Sequence, residues 1–209
     1  MSALLTVEDV RHLRTGAHFL ACTIDPTAIY VYAEMIERAM ENRVLELISI
    51  DELAPDDLVV AIGMVTQGLL IADMPPVGDE FIGCIRAIEA NLGRQVRAIY
   101  SLAAANINGI VPLMVGLQSS LPVIDSDPMG RVFPLISQTT LNIGHVPISP
   151  IALMGVTGER AVVEAENRSG PKPWCGHSSR RWVGGPLQPC IRAQRAKCAS
   201  TESTAPSAG

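Results

Sequence analysis

The stretch LPVIDSDPMGRVFP, residues 121–134, sets the short apolar run LPVI directly against two carboxylates, a proline, a glycine and an arginine. LPVI reads as a buried strand and DSDPMGR as the loop that leaves it. Charge arriving so abruptly at the end of an apolar run is what a strand in a layered α/β sheet looks like. In such sheets ligands bind beyond the carboxyl ends of the strands. Residues i and i+2 of an extended segment point to one side, so Asp125 and Asp127 converge on the same space. Two like charges held close can form an acid/base pair or grip one cation or amine. The structural alternative is that Asp125 caps a turn and Asp127-Pro128 begins it. Arg131 brings a planar cationic fork suited to carboxylate, imide or carbonyl oxygens, or else neutralises one of the aspartates. Gly130 and Pro128 set the backbone.

Outward from this stretch, the chain alternates strand and helix patterns. LVVAIGMV (58–65) is continuously apolar and β-branched, as in a strand covered on both faces. VLELIS (44–49) and VRAIYS (96–101) are shorter strands of the same kind. Between them, TVEDVRHLRTG predicts a helix capped by Thr6 with Asp9 in its first turn and Gly16 at its end. Asp25-Pro26 predicts the start of a second helix, with Ile29, Ala33, Ile36 and Met40 along one stripe. DEFIGCIRAIEANLG, ending at Gly93, is the clearest helix, and Asn106 to Ser120 is helical by composition. PIALMGV and RAVVEA close the series as two strands joined by TGE. The expected fold is therefore α/β: a layered sheet, at least partly parallel, with flanking helices.

Residues 1–165 form the expected domain. They hold 9 Arg, no Lys and 19 acidic residues, a net charge of −10, whereas residues 166–209 carry +5. So acidic a body excludes nucleic acid as its partner, because phosphate binding needs a basic face. Residues 166–209 hold both tryptophans and three of the five cysteines, with no amphipathic period, and are expected to be irregular. Apolar residues make up 48% of the chain, enough for a sizeable core, yet no apolar run approaches the roughly 18 residues that span a bilayer. The first residues, MSALLTVEDV, carry acids where a signal peptide carries bases, so the expected location is cytoplasmic, away from membranes.

The cysteine spacings fit neither a zinc ribbon nor a disulfide framework, and Cys22 and Cys84 read as small buried apolar residues. His145, in LNIGHVP, is a candidate general base, or a metal ligand together with Asp125 and Asp127; its other reading is a surface or capping residue. His12 and His18 read as helix-face residues. No HxH or HExxH spacing specifies a metal, and the sequence leaves both metal and cofactor open. Ser101 and Cys22 lack a partnered base at recognisable spacing.

The run from Leu121 to Pro134 resembles the signature of the S-methyl-thiohydantoin desulfurase-like family. Asp125, Asp127, Met129, Gly130, Arg131, Phe133 and Pro134 match that signature residue by residue. The acidic first helix, the DDLVVAIG strand, the Gly78-Asp79-Glu80 helix start and Asn106 with Pro112 agree in order, so the resemblance covers roughly residues 4–165. It implies a hydrolase acting on a cyclic amide of the hydantoin or S-methyl-thiohydantoin type. Asp125 or Asp127 would position or deprotonate water and Arg131 would stabilise charge on the ring, with Asn106, Gly130 and His145 binding substrate. The chain departs from the family where LACTIDPT (20–27) replaces a glycine-rich run and where SLAAAN (101–106) replaces a glutamate-glycine stretch. Family members also continue into a second domain. These departures, with a mean hydropathy of +0.27, support an alternative: a catalytically silent domain that associates with itself or with a hydantoinase-type partner.

Overall fold

The computed structural model describes residues 3–21, 27–64, 76–131, 133, 138–144, 146, 149–164 and 189–195. Its centre is four parallel strands: β2 (Leu45–Ile48), β3 (Leu58–Met64), β4 (Ala98–Ser101) and β5 (Val123–Ile124). Antiparallel strands flank them: β1 (Ala3–Leu5) on one side, and β6 (Ile151–Met154), β7 (Arg160–Val163) and β8 (Pro189–Arg195) on the other. The order across the sheet is β1-β2-β5-β4-β3-β8-β6-β7.

Parallel neighbours need a long crossover, and the chain supplies helices for it. The helix α3 (Asp79–Leu92) lies between β3 and β4 in sequence, and α4 (Val111–Ser119) between β4 and β5. Before them come α1 (Val7–Ala21) and α2 (Thr27–Met40), and after β5 the short α5 (Thr140–Ile143). The α/β layered fold expected from the sequence is the fold observed.

The period-two alternation of β3 explains why its whole length is apolar. Val60 and Ile62 join the core beneath the helices, with Ile36, Phe81, Ile88, Ile99 and Val115, while Val59 and Ala61 pack on the other face with Ala98, Tyr100, Leu102 and Ile124. Burying each such branched side chain is worth about 1.5–3 kcal/mol. Helix α4 is buried along nearly all of its length and lies close on the sheet. A Cβ at Gly116 would stand 2.7 Å from Leu45 Cδ1 and 2.9 Å from Val123 Cγ2, so only glycine permits this approach.

Four expectations change. Helix α1 does not stop at Gly16 but runs on to Ala21. Its glycine faces open space, and the burial of Ala17 outweighs the roughly 1 kcal/mol that glycine costs inside a helix. The segment 106–120 divides into a 3-10 turn, Ile107–Gly109, and α4, because Pro112 favours the first turn of a new helix over the interior of a longer one. Strand β1 is too short to show a period in sequence, and pairs antiparallel with β2 from Ala3 opposite Leu47 to Leu5 opposite Leu45. Of residues 166–209, expected to be irregular, those described form β8, which pairs antiparallel with both β3 and β6. Ile191 and Ala193 alternate there with Arg192 and Gln194, a period too brief to stand out in so mixed a segment. The expected cap at Asp25-Pro26 lies outside the described residues.

Candidate functional site

Strands β2, β4 and β5 end side by side at Ile48, Ser101 and Ile124, and a cleft of about 530 Å³ opens beyond them. Leu47, Val123 and Ile124 line it from the strands, Gly109 from the 3-10 turn, and Pro112 and Leu113 from the start of α4. One stripe of α1 faces it: Asp9, His12, Leu13, Gly16, Ala17 and Leu20, recurring at helical spacing. Asp125, Ser126 and Asp127 close it where the chain leaves β5. The volume lies in the range typical of small-molecule sites, about 300–1,000 Å³.

Asp125 and Asp127 thus reach one cleft, as the i, i+2 spacing requires, but they are held differently. The Asp125 backbone N–H donates to Ile48 O at 2.9 Å, adding a rung beyond the strand pair. Its exposed carboxylate has no hydrogen-bond or ion-pair partner among the described residues. Asp127 Oδ1 accepts from the N–H groups of Met129 (2.7 Å) and Gly130 (2.5 Å), so this carboxylate builds the turn. Gly130 sits at φ 69° in the left-handed region, which glycine occupies without penalty. Pro128 O accepts from Thr140 N at 2.9 Å and ties the turn to α5. The structural reading of the DSD stretch therefore applies to Asp127.

Arg131 is exposed and is not among the residues that line the cleft. Among the described residues no ion pair joins it to Asp125 or Asp127, so it does not neutralise either one. Asn106 does not line the cleft either. Its Oδ1 accepts from Ile107 N at 2.7 Å and its backbone N–H donates to Ala17 O at 2.9 Å, which fastens the end of α1 to the turn after β4. Asn106 does this at φ 60° and ψ −163°, a conformation nearly confined to glycine and costing about 1–3 kcal/mol. His145 lies outside the described residues. Among the described residues, no group of three or more His, Cys, Asp or Glu is placed to hold a metal ion.

The neighbouring strand ends are stitched shut. Ser101 Oγ accepts from Ala103 N at 3.1 Å and lies within donating distance of the carbonyls of Ala103 (2.7 Å) and Asn108 (2.8 Å). Asn108 Oδ1 accepts from Met64 N at 2.7 Å, and its Nδ2 donates to Met64 O at 3.4 Å, closing the end of β3. The hydroxyl of Ser101 is thus committed to structure rather than to nucleophilic attack.

Two cleft residues were read in sequence only as helix furniture. Asp9 forms a capping box with Thr6: Thr6 N and Oγ1 donate to Asp9 Oδ2 at 2.8 and 2.7 Å, and Asp9 N donates back to Thr6 Oγ1 at 3.2 Å. The Thr6 hydroxyl, then the Thr6 backbone N–H, hold the Asp9 carboxyl below the usual range. His12, one turn on, stands 3.4 Å from Glu8. Their i, i+3 spacing was legible, but which stripe of α1 faces a cleft depends on where the sheet ends.

Other polar groups are sealed instead. Glu80 is 6% exposed and accepts from Gly78 N at 3.0 Å. Burial, then the nearby Glu80, pushes the Cys84 thiol up to about 12, so it is a neutral apolar group, as its sequence context suggested. Burial first and Glu80 second also raise Tyr32, whose hydroxyl donates to Pro76 O.

The family model for the S-Me-THD-like, N-terminal domain matches residues 8–165. A crystal structure of a protein from Chromobacterium violaceum superposes with a TM-score of 0.72 at 17% identity, covering 93% of this chain and 55% of that one. At that identity the likeness concerns the fold, and the chain spans about half the length of the solved structure. No curated protein matches the sequence. No described helix is long and apolar enough to cross a membrane.

Proposed function

Since the chain belongs to the S-Me-THD-like family through its N-terminal domain, we propose that it acts as the ring-binding part of a hydrolase for cyclic amides of the S-methyl-thiohydantoin or hydantoin type. The observation that carries this reading is the open cleft at the carboxyl edge of the parallel strands, into which Asp125 presents an unpartnered carboxylate. Leu47, Leu113 and Val123 give the flat ring an apolar floor. Asp125 deprotonates a water that adds to the ring carbon bearing the methylthio group. The carbon–sulfur bond then breaks: one proton of the water ends on the ring nitrogen, the other on the departing methanethiol, and the oxygen becomes the ring carbonyl. Asp127 holds the turn that aims Asp125. Arg131 and Asn106 stay outside the lining, so the chemistry rests on the aspartate. Incubating the protein with an S-methyl-thiohydantoin and assaying methanethiol tests this. Release by the wild type that Asp125→Asn abolishes supports the reading, and an inert, non-binding wild type overturns it.

One observation favours the second reading, a domain that binds another protein. Phe19 on α1 is 81% exposed, and Tyr30 and Val31 on α2 are exposed as well. Size-exclusion chromatography alone and with a hydantoinase-type enzyme separates the two: a complex that Phe19→Ser dissolves supports this second reading.

A further inference from the structure

We propose that the cleft selects its ligand by charge, taking a neutral ring with N–H donors and rejecting the same ring bearing a carboxylate, with Asp9 on the α1 wall as the selecting residue. This rests on the reading of the cleft as a ring-binding site. Among the described residues its charged lining consists of Asp9, Asp125 and Asp127, with His12 beside them, and neither arginine nor lysine. Arg131, four residues past Asp127, is exposed, and Arg11, two residues past Asp9, pairs with Glu8 and Glu37. The start of α4, whose dipole amounts to about half a charge, is the positive feature among the described lining. An anionic ligand would therefore add a fourth carboxylate to an open cleft already lined by three. A neutral cyclic amide instead offers N–H groups to those oxygens and lays its ring on the apolar floor. Asp9 is suited to the task because Thr6 occupies only Oδ2 and leaves Oδ1 without a partner among the described residues. Thr6 also keeps the carboxyl ionised across the ordinary pH range.

The test is calorimetric, on the full chain, with hydantoin-5-acetamide and hydantoin-5-acetic acid, probes that share a ring and size but differ by one charge. The amide should bind at least about tenfold more tightly at low salt, and raising ionic strength from about 0.01 M to about 1 M should shrink that ratio. Asp9→Asn, which keeps an oxygen for the Thr6 cap, should lower the ratio at least about threefold. Thr6→Val, which removes the hydroxyl but keeps the Asp9 charge, should preserve the ratio. Equal binding of both probes by the wild type, or a ratio indifferent to salt and to Asp9→Asn, overturns charge selection and leaves the ring-binding reading standing. Failure of the amide probe to bind the folded wild type removes both.

Discussion

Strands β3 and β5 both carry the chain to the carboxyl edge of the sheet, yet they end in opposite ways. At β3 the last backbone N–H and C=O, those of Met64, are both taken by the Asn108 amide, and Ser101 at the adjoining β4 end is bonded into the same turn. At β5 the chain leaves through Asp125, whose carboxylate has no partner among the described residues and opens on the cleft. Topology gives both ends the same standing as ligand sites. Their difference lies in whether a nearby side chain satisfies the edge. A polar group that folding has already satisfied has little left for a ligand, and one left open beside an apolar floor does.

The largest effect that separates the two ends is functional. Asp125→Asn should reduce methanethiol release about 100-fold or more, the scale of a lost general base, while the thermal midpoint stays put because the carboxylate holds nothing in place. Asn108→Ala should do the reverse. It leaves the N–H and C=O of Met64 short of partners, at a cost of about 1–3 kcal/mol in urea unfolding, with ring binding largely kept. Equal destabilisation by both variants would erase the contrast between the closed and open ends.

Asp127→Ala falls between them. The turn loses the acceptor for Met129 N and Gly130 N, in a setting where water can replace it, so stability should fall by about 1 kcal/mol. Catalysis should suffer too, since the same turn aims Asp125, whereas Asp127→Asn, which keeps an acceptor oxygen, should restore most of both. The smallest effect belongs to Asp9. Its folded carboxyl titrates below the ordinary range, so the unfolded state binds more protons and stability is gained above the unfolded carboxylate pKa. That contribution is lost as pH falls through the folded value. Acid titration of unfolding should therefore show a slightly shallower acid loss in Asp9→Asn than in the wild type.

Much of this could be read from the chain. The apolar runs 58–65, 96–101 and 121–124 name the parallel strands because each is too short for a buried helix and is bounded by turn residues or charge. That Asp125 and Asp127 both line one cleft is in keeping with their i, i+2 spacing after a strand. What sequence left open was decided at longer range. Whether Arg131 enters the cleft depends on the Asp127–Gly130 turn, and whether Asp9 and His12 matter depends on α1 lying across the ends of β2 and β5. Gly16 reads locally as a helix stop, and only the packing of Ala17 carries the helix through it. Strand β8 needed β3 and β6 already in place to have anything to pair with.

Backbone amide chemical-shift mapping while hydantoin is added bears most directly on the claim that the β2–β5 edge is the open one. Shifts should concentrate at Leu47, Ser126 and Asp127, with Gly16 and Ala17 on the facing helix, and should leave Met64 and Arg131 still. Shifts centred on Met64 and Asn108, or spread without focus over the surface, would contradict it.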